Sequence, residues 1–174
     1  MRNNPQTFRT RGAFLAAIGC LIVLAGCKAG IFSYVGTTAR PENRIALVPD
    51  TKTSGTWRTP DIVVDYVFKP TQQTLALEAT VNLAGHMQRG FSFASNVFLG
   101  IHFLDTENRV LSSRSFALSG NRTPIRQWRI ERQLEIPAGA DAVAFSYSGR
   151  VGEGGLGTGD NGQGGVSWSF WQRP

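Results

Sequence analysis

Cysteine is scarce in this chain. Of the 174 residues only Cys20 and Cys27 are cysteines, and they lie within or directly after an apolar N-terminal segment. One thiol beyond that segment excludes an internal disulfide framework and a metal site made of several thiolates. The folded domain must therefore depend on its hydrophobic core for stability.

Histidine is as scarce as cysteine, with His86 and His102 as its only occurrences. Neither lies in a carboxylate-rich pattern of metal ligands, so the sequence predicts no metal or other cofactor. We expect His86 to be solvated in a loop and His102 to be a hydrogen-bonded or surface residue of a strand.

Catalytic motifs are also lacking, and no G-x-S-x-G nucleophile elbow occurs. A Ser-His-Asp set can be assembled from Ser146, His102 and Asp105, but a spare serine and aspartate can be found near almost any histidine. Glu131 and Glu135 share one face of a predicted strand about 13 Å apart, which is too far for a glycosidase pair. The sequence therefore predicts no enzyme, and an envelope hydrolase is the disfavoured alternative.

Long apolar runs are absent as well. The longest, residues 13–26, has 14 residues, whereas a membrane-spanning helix needs roughly 20. Arg2, Arg9 and Arg11 precede it without any acidic residue. A basic start, a short apolar segment and small residues at its end are typical of a secretory signal peptide.

The apolar run ends in Leu24-Ala25-Gly26-Cys27. This stretch resembles the lipobox of bacterial lipoprotein precursors, and the resemblance covers residues 1–28. It implies cleavage between Gly26 and Cys27, addition of a diacylglycerol to the Cys27 sulfur, and acylation of the new amino group by a fatty acid such as palmitate. A thiolate is a strong nucleophile, and two or more acyl chains anchor a protein stably. The lipid bilayer is therefore the first expected partner.

The residue after the lipobox bears on location. In enterobacterial members of the lipoprotein family an aspartate at this position retains the protein in the inner membrane, and here the residue is Lys28. The resemblance therefore implies a lipid anchor in the outer membrane of the cell envelope, with the domain facing the periplasm or the outside. The inner membrane is the alternative.

The charge of the chain is partly a property of the segment that would be removed. The full chain has 18 basic and 12 acidic residues, and loss of residues 1–26 removes three arginines and no acid. The remaining net charge of +3 does not favour a nucleic-acid partner. The 148 remaining residues suit one domain with a core of its own.

The sequence predicts three parts. Residues 1–26 are the lipoprotein signal peptide, residues 27–55 are the lipidated Cys27 with a flexible tether, and residues 56–174 are the folded domain. The tether is predicted from its glycines and prolines and from its lack of sustained periodicity. Residues 44–48 are the exception, since they could form a short first strand.

Apolar and polar residues alternate through most of the domain, and no apolar stripe has helical spacing. About seven to eight strands are predicted within residues 62–68, 74–83, 97–104, 110–118, 128–136, 143–148 and 166–170. This pattern favours an all-β fold, a single antiparallel β-sandwich of immunoglobulin-like or jelly-roll Greek-key type. A small closed barrel is the alternative. The segment 97–104 is apolar on both faces, which predicts a central strand.

The segment 152–165 is rich in glycine. It lacks the Lys-Ser/Thr end of a phosphate-binding loop, and its single approximate calcium repeat has no tandem copy. We expect a mobile loop between the last two strands or, alternatively, a loop that orders against a partner. The candidate binding loop comprises Gly152, Glu153, Asp160, Asn161 and the nearby Trp171.

The alternation also assigns directions to large side chains. Trp128 and Trp168 fall on inward faces and are predicted to be in the core, whereas Trp171 falls on the opposite face and is predicted to be exposed. Arg132 falls on the inward face too. It then needs either a bulge or a partner, and Asp65 is a candidate by charge alone.

Arginines are concentrated between Asn108 and Ile130, where no acidic residue occurs. Arg114, Arg122, Arg126 and Arg129 are favoured as the covering of a solvated face. The alternative is a basic patch for lipid headgroups or an anionic polysaccharide.

Taken together, these features favour an outer-membrane-anchored lipoprotein whose domain is a non-enzymatic binding or scaffolding module of the cell envelope. Its expected partners are the bilayer, through Cys27, and an envelope protein or a polysaccharide. The alternative function is a carbohydrate-binding module of the cell surface that uses Trp171 and loop residues.

Overall fold

Alternating side chains form ten strands in the part of the chain that the structure, a computed structural model, describes: residues 33–154 and 166–174. The strands are β1 Ile45–Ala46, β2 Thr53–Arg58, β3 Ile62–Pro70, β4 Thr74–Leu83, β5 Phe93–Leu104, β6 Val110–Ala117, β7 Thr123–Pro124, β8 Trp128–Glu135, β9 Ala142–Gly152 and β10 Ser167–Gln172. The helices within these residues are a 3₁₀ turn, Pro41–Asn43, and α1, Gly85–Gly90. Neither has the length and hydropathy that a bilayer crossing requires.

The strands form two antiparallel sheets, which confirms the predicted all-β sandwich. In the six-stranded sheet β9 and β5 are central. The short β1 and the longer β10 both pair with the outer side of β9, and β6 and β7 pair with the far side of β5. The four-stranded sheet has the order β2–β3–β4–β8. The expected centrality of residues 97–104 is confirmed, because they belong to β5.

The core lies between the two sheets and follows from the period of two along each strand. Val64, Phe68 and Leu77 contribute from the four-stranded sheet, and Leu99 and Phe145 from the six-stranded sheet; these side chains are fully buried or nearly so. The opposite side chains of the four-stranded sheet are mostly polar, with Val63, Val67 and Ala76 as half-buried exceptions. The sandwich therefore needs no disulfide to form a continuous apolar layer.

The segment before β1 belongs to the folded unit from Tyr34 onward. Tyr34 and Ala39 cover a second apolar cluster on the outer face of the six-stranded sheet, together with Leu104 and Ala144. The Arg40 amide donates to the Pro174 carbonyl at 3.3 Å. These contacts differ from the expectation of a flexible tether up to residue 55. Gly36, Pro41 and Pro49 lie in turns between short packed pieces, and Gly55 lies within β2.

Arg44 ties this segment to two loops of the sandwich. Its Nη1 donates to the Asp105 carbonyl at 2.9 Å and to Asn108 Oδ1 at 2.8 Å, and its Nη2 lies 2.7 Å from Asp141 Oδ2. The short strand expected within residues 44–48 is present as β1 and pairs with β9.

The prediction that Trp168 lies in the core is wrong, since 57 % of its surface is exposed. The alternation itself holds, because Trp168 pairs with the inward-facing Val151. However, β10 is an edge strand of its sheet. Phe170 of this strand belongs to the core cluster, whereas Trp168 does not. Trp128 is buried, as predicted, and Trp171 is exposed, as predicted.

Arg132 is also exposed, and β8 pairs with β4 without a register shift, so neither of the two expected alternatives, a bulge or a partly buried charge with a partner, is found. It lies on β8, the edge of the four-stranded sheet, and its Nη1 donates to the Glu131 carbonyl at 2.8 Å. Its suggested partner Asp65 lies on the outer face and accepts a hydrogen bond from Thr56 instead.

Candidate functional site

A shallow groove of about 570 Å³ lies on the outer face of the four-stranded sheet. Its floor is a row of side chains in register across the four strands: Thr56 on β2, Asp65 on β3, Thr80 on β4 and Arg129 on β8. The row exists because alternation sends one polar side chain per strand to the same side. The groove thus combines hydroxyls, a carboxylate and a guanidinium.

A second row borders the first and carries the acidic side of the groove. Glu78 and Glu131 are directly opposite each other on β4 and β8, an arrangement that repulsion makes unfavourable. Lys69 Nζ lies 2.7 Å from Glu78 Oε1. This hydrogen bond and the charge of Lys69 lower the pKa of Glu78. Glu131 has no ion pair within the described residues, so its carboxylate is available to a ligand.

The groove can bind a polar ligand through hydrogen bonds. Thr56 Oγ1 donates to Asp65 Oδ1 at 2.6 Å, which orients that carboxylate along the row. Tyr66 is the aromatic residue among the lining side chains, but its ring stacks on Phe68 at 4.7 Å toward the core. It is therefore not a platform for a sugar ring. Specificity in this groove would come from hydroxyl and charged groups.

Sequence reasoning missed this groove. The prediction that Arg129 lies on a solvated face is confirmed, and Glu131 is exposed on the same face. What the sequence did not contain was the neighbour relation of β2, β3, β4 and β8, because β8 is separated from β4 by more than forty residues. Only the strand order brings the four polar positions into one row.

His102 lies on the outer face of the six-stranded sheet, where it joins three strands. Its Nε2 is hydrogen-bonded to Ser146 Oγ at 2.7 Å and its Nδ1 to Ser113 Oγ at 2.8 Å. Tyr34 packs its ring edge-on against the imidazole at 5.1 Å. Burial lowers the pKa of His102 to about 4, so the ring is neutral at pH 7.

The predicted choice for His102, a hydrogen-bonded or surface strand residue, is resolved in favour of the hydrogen-bonded one. Asp105 does not join it; its Oδ1 instead accepts from the amides of Glu107 and Arg109 in the β5–β6 turn. A Ser–His contact at this distance is the geometry of an activated nucleophile. Here, however, both side chains are buried: His102, which Tyr34 covers, is 2 % exposed, and Ser146 is 6 % exposed. We therefore assign it a role in linking strands.

The residues of the predicted binding loop do not form one cluster in the described structure. Gly152 is the last residue of β9 and Glu153 follows it; the Glu153 amide donates to the Val166 carbonyl at 3.0 Å. Trp171 pairs with Ser148, four residues from Gly152, about 13 Å away along the strand. Asp160 and Asn161 lie outside the described residues, as do Gly26 and Cys27.

Gly152 has a packing reason to be glycine. A Cβ at this position would collide with the ring of Phe93, which fills the space beside the strand. The Arg122 guanidinium lies over the Phe93 ring, 4.4 Å from the ring centroid. The glycine at the start of the candidate loop is thus part of the sandwich rather than part of a ligand site.

Three large apolar side chains are exposed along β10 and its start. They are Val166, Trp168 and Trp171, which are 59 %, 57 % and 63 % exposed. We call these three side chains the tryptophan edge. Arg173 lies over the Trp171 ring at 5.7 Å from its centroid. Trp168 pairs with the inward-facing Val151 and Trp171 with the outward-facing Ser148, so the two indoles lie on opposite faces of this edge strand.

The four arginines considered as a basic patch are divided between different elements. Arg129 lies on the outer face of the four-stranded sheet, and Arg114 lies on β6 of the other sheet. Arg122 is half-buried against Phe93. Within residues 33–154 and 166–174, no group of three histidine, cysteine, aspartate or glutamate side chains is placed to hold a metal ion.

No family model, curated protein or solved structure matches this chain. The groove, the buried His102 cluster and the tryptophan edge must be interpreted from their own chemistry. Of these, the groove and the tryptophan edge are open to solvent, and they lie on different sheets of the sandwich.

Proposed function

We propose that this chain is a lipid-anchored lipoprotein of the cell envelope, held in the outer membrane, whose sandwich is a non-enzymatic binding module. The observation that carries the proposal is the stretch Leu24-Ala25-Gly26-Cys27 behind a basic, acid-free start. A diacylglycerol on Cys27 would supply the anchor. Tyr34 is the seventh residue after Cys27, so the folded unit would lie within about 24 Å of the lipid attachment.

The anchor can be tested with the two cysteines as a matched pair. In Cys27→Ala the acyl group has no acceptor, so we expect the protein to lose its lipid mass and to leave the membrane fraction. Cys20→Ala should keep both, because Cys20 lies inside the segment that is removed. Mass spectrometry of the purified protein and fractionation of cells measure the two outcomes. An intact leader, or an unmodified sulfur at Cys27, would contradict the proposal.

The binding function is supported by the groove on the four-stranded sheet. Its row of Thr56, Asp65, Thr80 and Arg129 offers donors and acceptors at the spacing of neighbouring strands, about 4.8 Å. Such a row suits an extended ligand that carries many hydroxyl groups. A segment of an envelope polysaccharide has this chemistry. A polar loop of an envelope protein could make the same hydrogen bonds and is the other expected ligand.

The carbohydrate alternative gains one specific observation, since Trp171 is exposed and its indole could stack on a sugar ring. A glycan array separates the two surfaces. If the groove binds sugar, Asp65→Asn and Arg129→Ala should each weaken binding, whereas Trp171→Ala should not. If Trp171 is the platform, the pattern reverses. Ser115→Ala, an exposed change on the other sheet, serves as the control for both.

A scaffolding role predicts a different result from the same material. Binding to all glycans should then be absent, and the protein should co-purify with an envelope protein complex that dissociates when Asp65 and Arg129 are replaced. The hydrolase alternative would require turnover that disappears in His102→Ala. The burial of His102 and Ser146 favours binding over that alternative.

A further inference from the structure

Strand β10 is an unprotected edge of the six-stranded sheet. Within residues 33–154 and 166–174 it pairs with β9 alone, so its other side is free. Its six residues contain no charge, proline or glycine, and its register with β9 has no shift. Proteins usually protect an edge with charges, proline, bulges or very short strands, because its free backbone groups pair readily with another strand. An uncharged, aromatic segment of this length pairs especially readily.

The other edge strands of the two sheets have such protection. Arginines and glutamates are interspersed along β8. Strand β2 contains Gly55 and ends at Arg58, and β6 carries Arg114 and has an irregular register with β5. Strands β1 and β7 have two residues each, and Pro124 is one of them. Among the described edge strands, β10 is therefore the one that is open to strand pairing.

The direction of the free backbone groups follows from the hydrogen bonds between β9 and β10. The Glu153 amide donates to the Val166 carbonyl at 3.0 Å, so the backbone groups of Val166 point toward β9. This direction alternates from residue to residue in an antiparallel pair. The amides and carbonyls of Ser167, Ser169 and Trp171 therefore point to the free edge. Glu153 itself lies on the β9 side of the ladder, away from that edge.

The residues of β10 are complementary to a second β10 that runs antiparallel about Ser169. Ser169 then lies opposite Ser169 of the second copy, and Ser167 lies opposite Trp171, so the large indole meets a small side chain on the outward face. On the inward face Trp168, which is 57 % exposed, lies opposite Phe170. Aromatic pairs across strands are stabilising, and no charges are opposed. The same alignment pairs every residue whose backbone points to the free edge.

We propose that two copies of this chain pair through β10, antiparallel about Ser169, so that their six-stranded sheets form one continuous sheet. The occupant of the edge is a second copy because a two-fold interface requires a surface that matches itself, and β10 does. The pairing uses the free β10 edge of both copies, so it closes as a dimer.

The symmetry of this pair has a consequence for the groove. The two-fold axis is perpendicular to the joined sheet, so both four-stranded sheets lie on one side of it and both grooves face the same way. A polymer with repeating units would then bind two grooves at once and gain apparent affinity through effective concentration. This consequence, unlike the pairing itself, rests on the proposed binding function.

A cysteine on the two-fold axis tests the pairing. Opposite residues of a hydrogen-bonded pair have Cα atoms about 5.5 Å apart, a distance that a disulfide spans. In full-length Ser169→Cys, purified in detergent and oxidised with copper phenanthroline, we expect a cross-linked dimer on a non-reducing gel. Ser167→Cys is the matched control, because it would lie about 13 Å from its counterpart. The unaltered chain is run alongside, since a free thiol at Cys27 would cross-link without any substitution.

A proline at the same position tests the pairing without a thiol. The Ser169 amide points away from β9, so Ser169→Pro removes no hydrogen bond within one copy but blocks the free edge. We expect native mass spectrometry to show a dimer for the unaltered protein and for Ser169→Ala, and a monomer for Ser169→Pro.

An exposed side chain provides a second variant in case the proline prevents folding. Trp168→Ala should raise the dissociation constant of the dimer roughly fivefold, because the aromatic pair across the interface is lost. Val48→Ala, a change at an apolar side chain that is 50 % exposed elsewhere, should leave that constant unchanged.

The outcomes separate cleanly. A monomeric unaltered protein, with no more cross-linking in Ser169→Cys than in the unaltered chain, would show that a second copy does not occupy the edge. Cross-linking through Ser167→Cys instead would overturn the alignment about Ser169. None of these measurements uses a groove ligand or depends on acylation, so the pairing and the proposed function can fail independently.

Discussion

His102 shows how a single residue gains a role from its strand neighbours. A lone histidine in an apolar strand would leave two polar nitrogens unsatisfied, which costs free energy in a core. Here Ser113 and Ser146, on the strands at either side, each supply a hydroxyl to one nitrogen. Gly100 leaves the space for this, because a Cβ there would collide with Ser146 Oγ. Four residues on three strands thus form one unit.

The titration of His102 gives a prediction at the scale of the residue. Its folded pKa of about 4 lies below the ordinary value of 6.5, so the unfolded chain binds more protons between these values. Stability is therefore fully present above pH 6.5 and is lost as pH falls toward 4. The loss is about 3 kcal/mol at most. In His102→Gln this part of the pH dependence should be missing, as urea unfolding at pH 7 and pH 4.5 would show.

Carboxylates also titrate in that range, so the difference between the two proteins is the quantity to compare. If the unaltered protein and His102→Gln lose the same free energy of unfolding between pH 7 and 4.5, the histidine is not held neutral by burial.

At the scale of the element, the N-terminal segment acts as a cover for the outer face. Tyr34 and Ala39 close the apolar cluster around Leu104 and Ala144. The segment is pinned at both sides, by the bridge from Thr38 to Arg109 and by the hydrogen bond from Arg40 to Pro174. A stretch with few regular strands is thereby fixed through contacts with distant parts of the chain.

Tyr34→Ala tests this cover. We expect the free energy of unfolding to fall by about 1–3 kcal/mol, because an aromatic contact and the shielding of the imidazole are both lost. The pKa of His102 should rise toward its ordinary value as water reaches the ring, which an NMR titration would detect. The neighbouring Val35 is 54 % exposed, so Val35→Ala should change neither quantity. Similar effects of both changes would mean that Tyr34 covers nothing.

At the scale of the whole molecule, an aromatic cluster joins the two sheets. The Phe145 ring from β9 contacts Trp57, Tyr66 and Phe68 of the other sheet, with ring centroids 5.4, 5.6 and 6.0 Å away. The mutual packing of these rings fixes how the two layers meet. Because the described fold has no disulfide, this layer carries most of its stability.

Phe145→Ala should therefore lower the free energy of unfolding by about 3–5 kcal/mol. That is a large share of the 5–15 kcal/mol typical of a domain. Phe98→Ala, a change of the same chemistry at a half-buried site on the outer face, should cost less than half as much. Guanidinium unfolding of both variants provides the comparison, and equal costs would contradict a core centred on Phe145.

The period of two was enough to predict most strands and the sandwich class, because a residue's face depends only on its neighbours along the chain. It failed at Trp168 and Arg132, where the face was right but the strand lay at a sheet edge. Edges, like the row that forms the groove, depend on which strands are neighbours. That order is set by contacts between distant segments, such as β4 with β8.

The start of the folded unit at Tyr34 has a consequence for how a partner is met. If Cys27, seven residues before Tyr34, is acylated as proposed, the sandwich would diffuse laterally with one leaflet of the membrane. It would stay within a few nanometres of that leaflet. Encounters would then follow two-dimensional kinetics, and a ligand would have to come down to the leaflet or be embedded in it. Lengthening the link between Cys27 and Tyr34 would enlarge the volume that the sandwich can search.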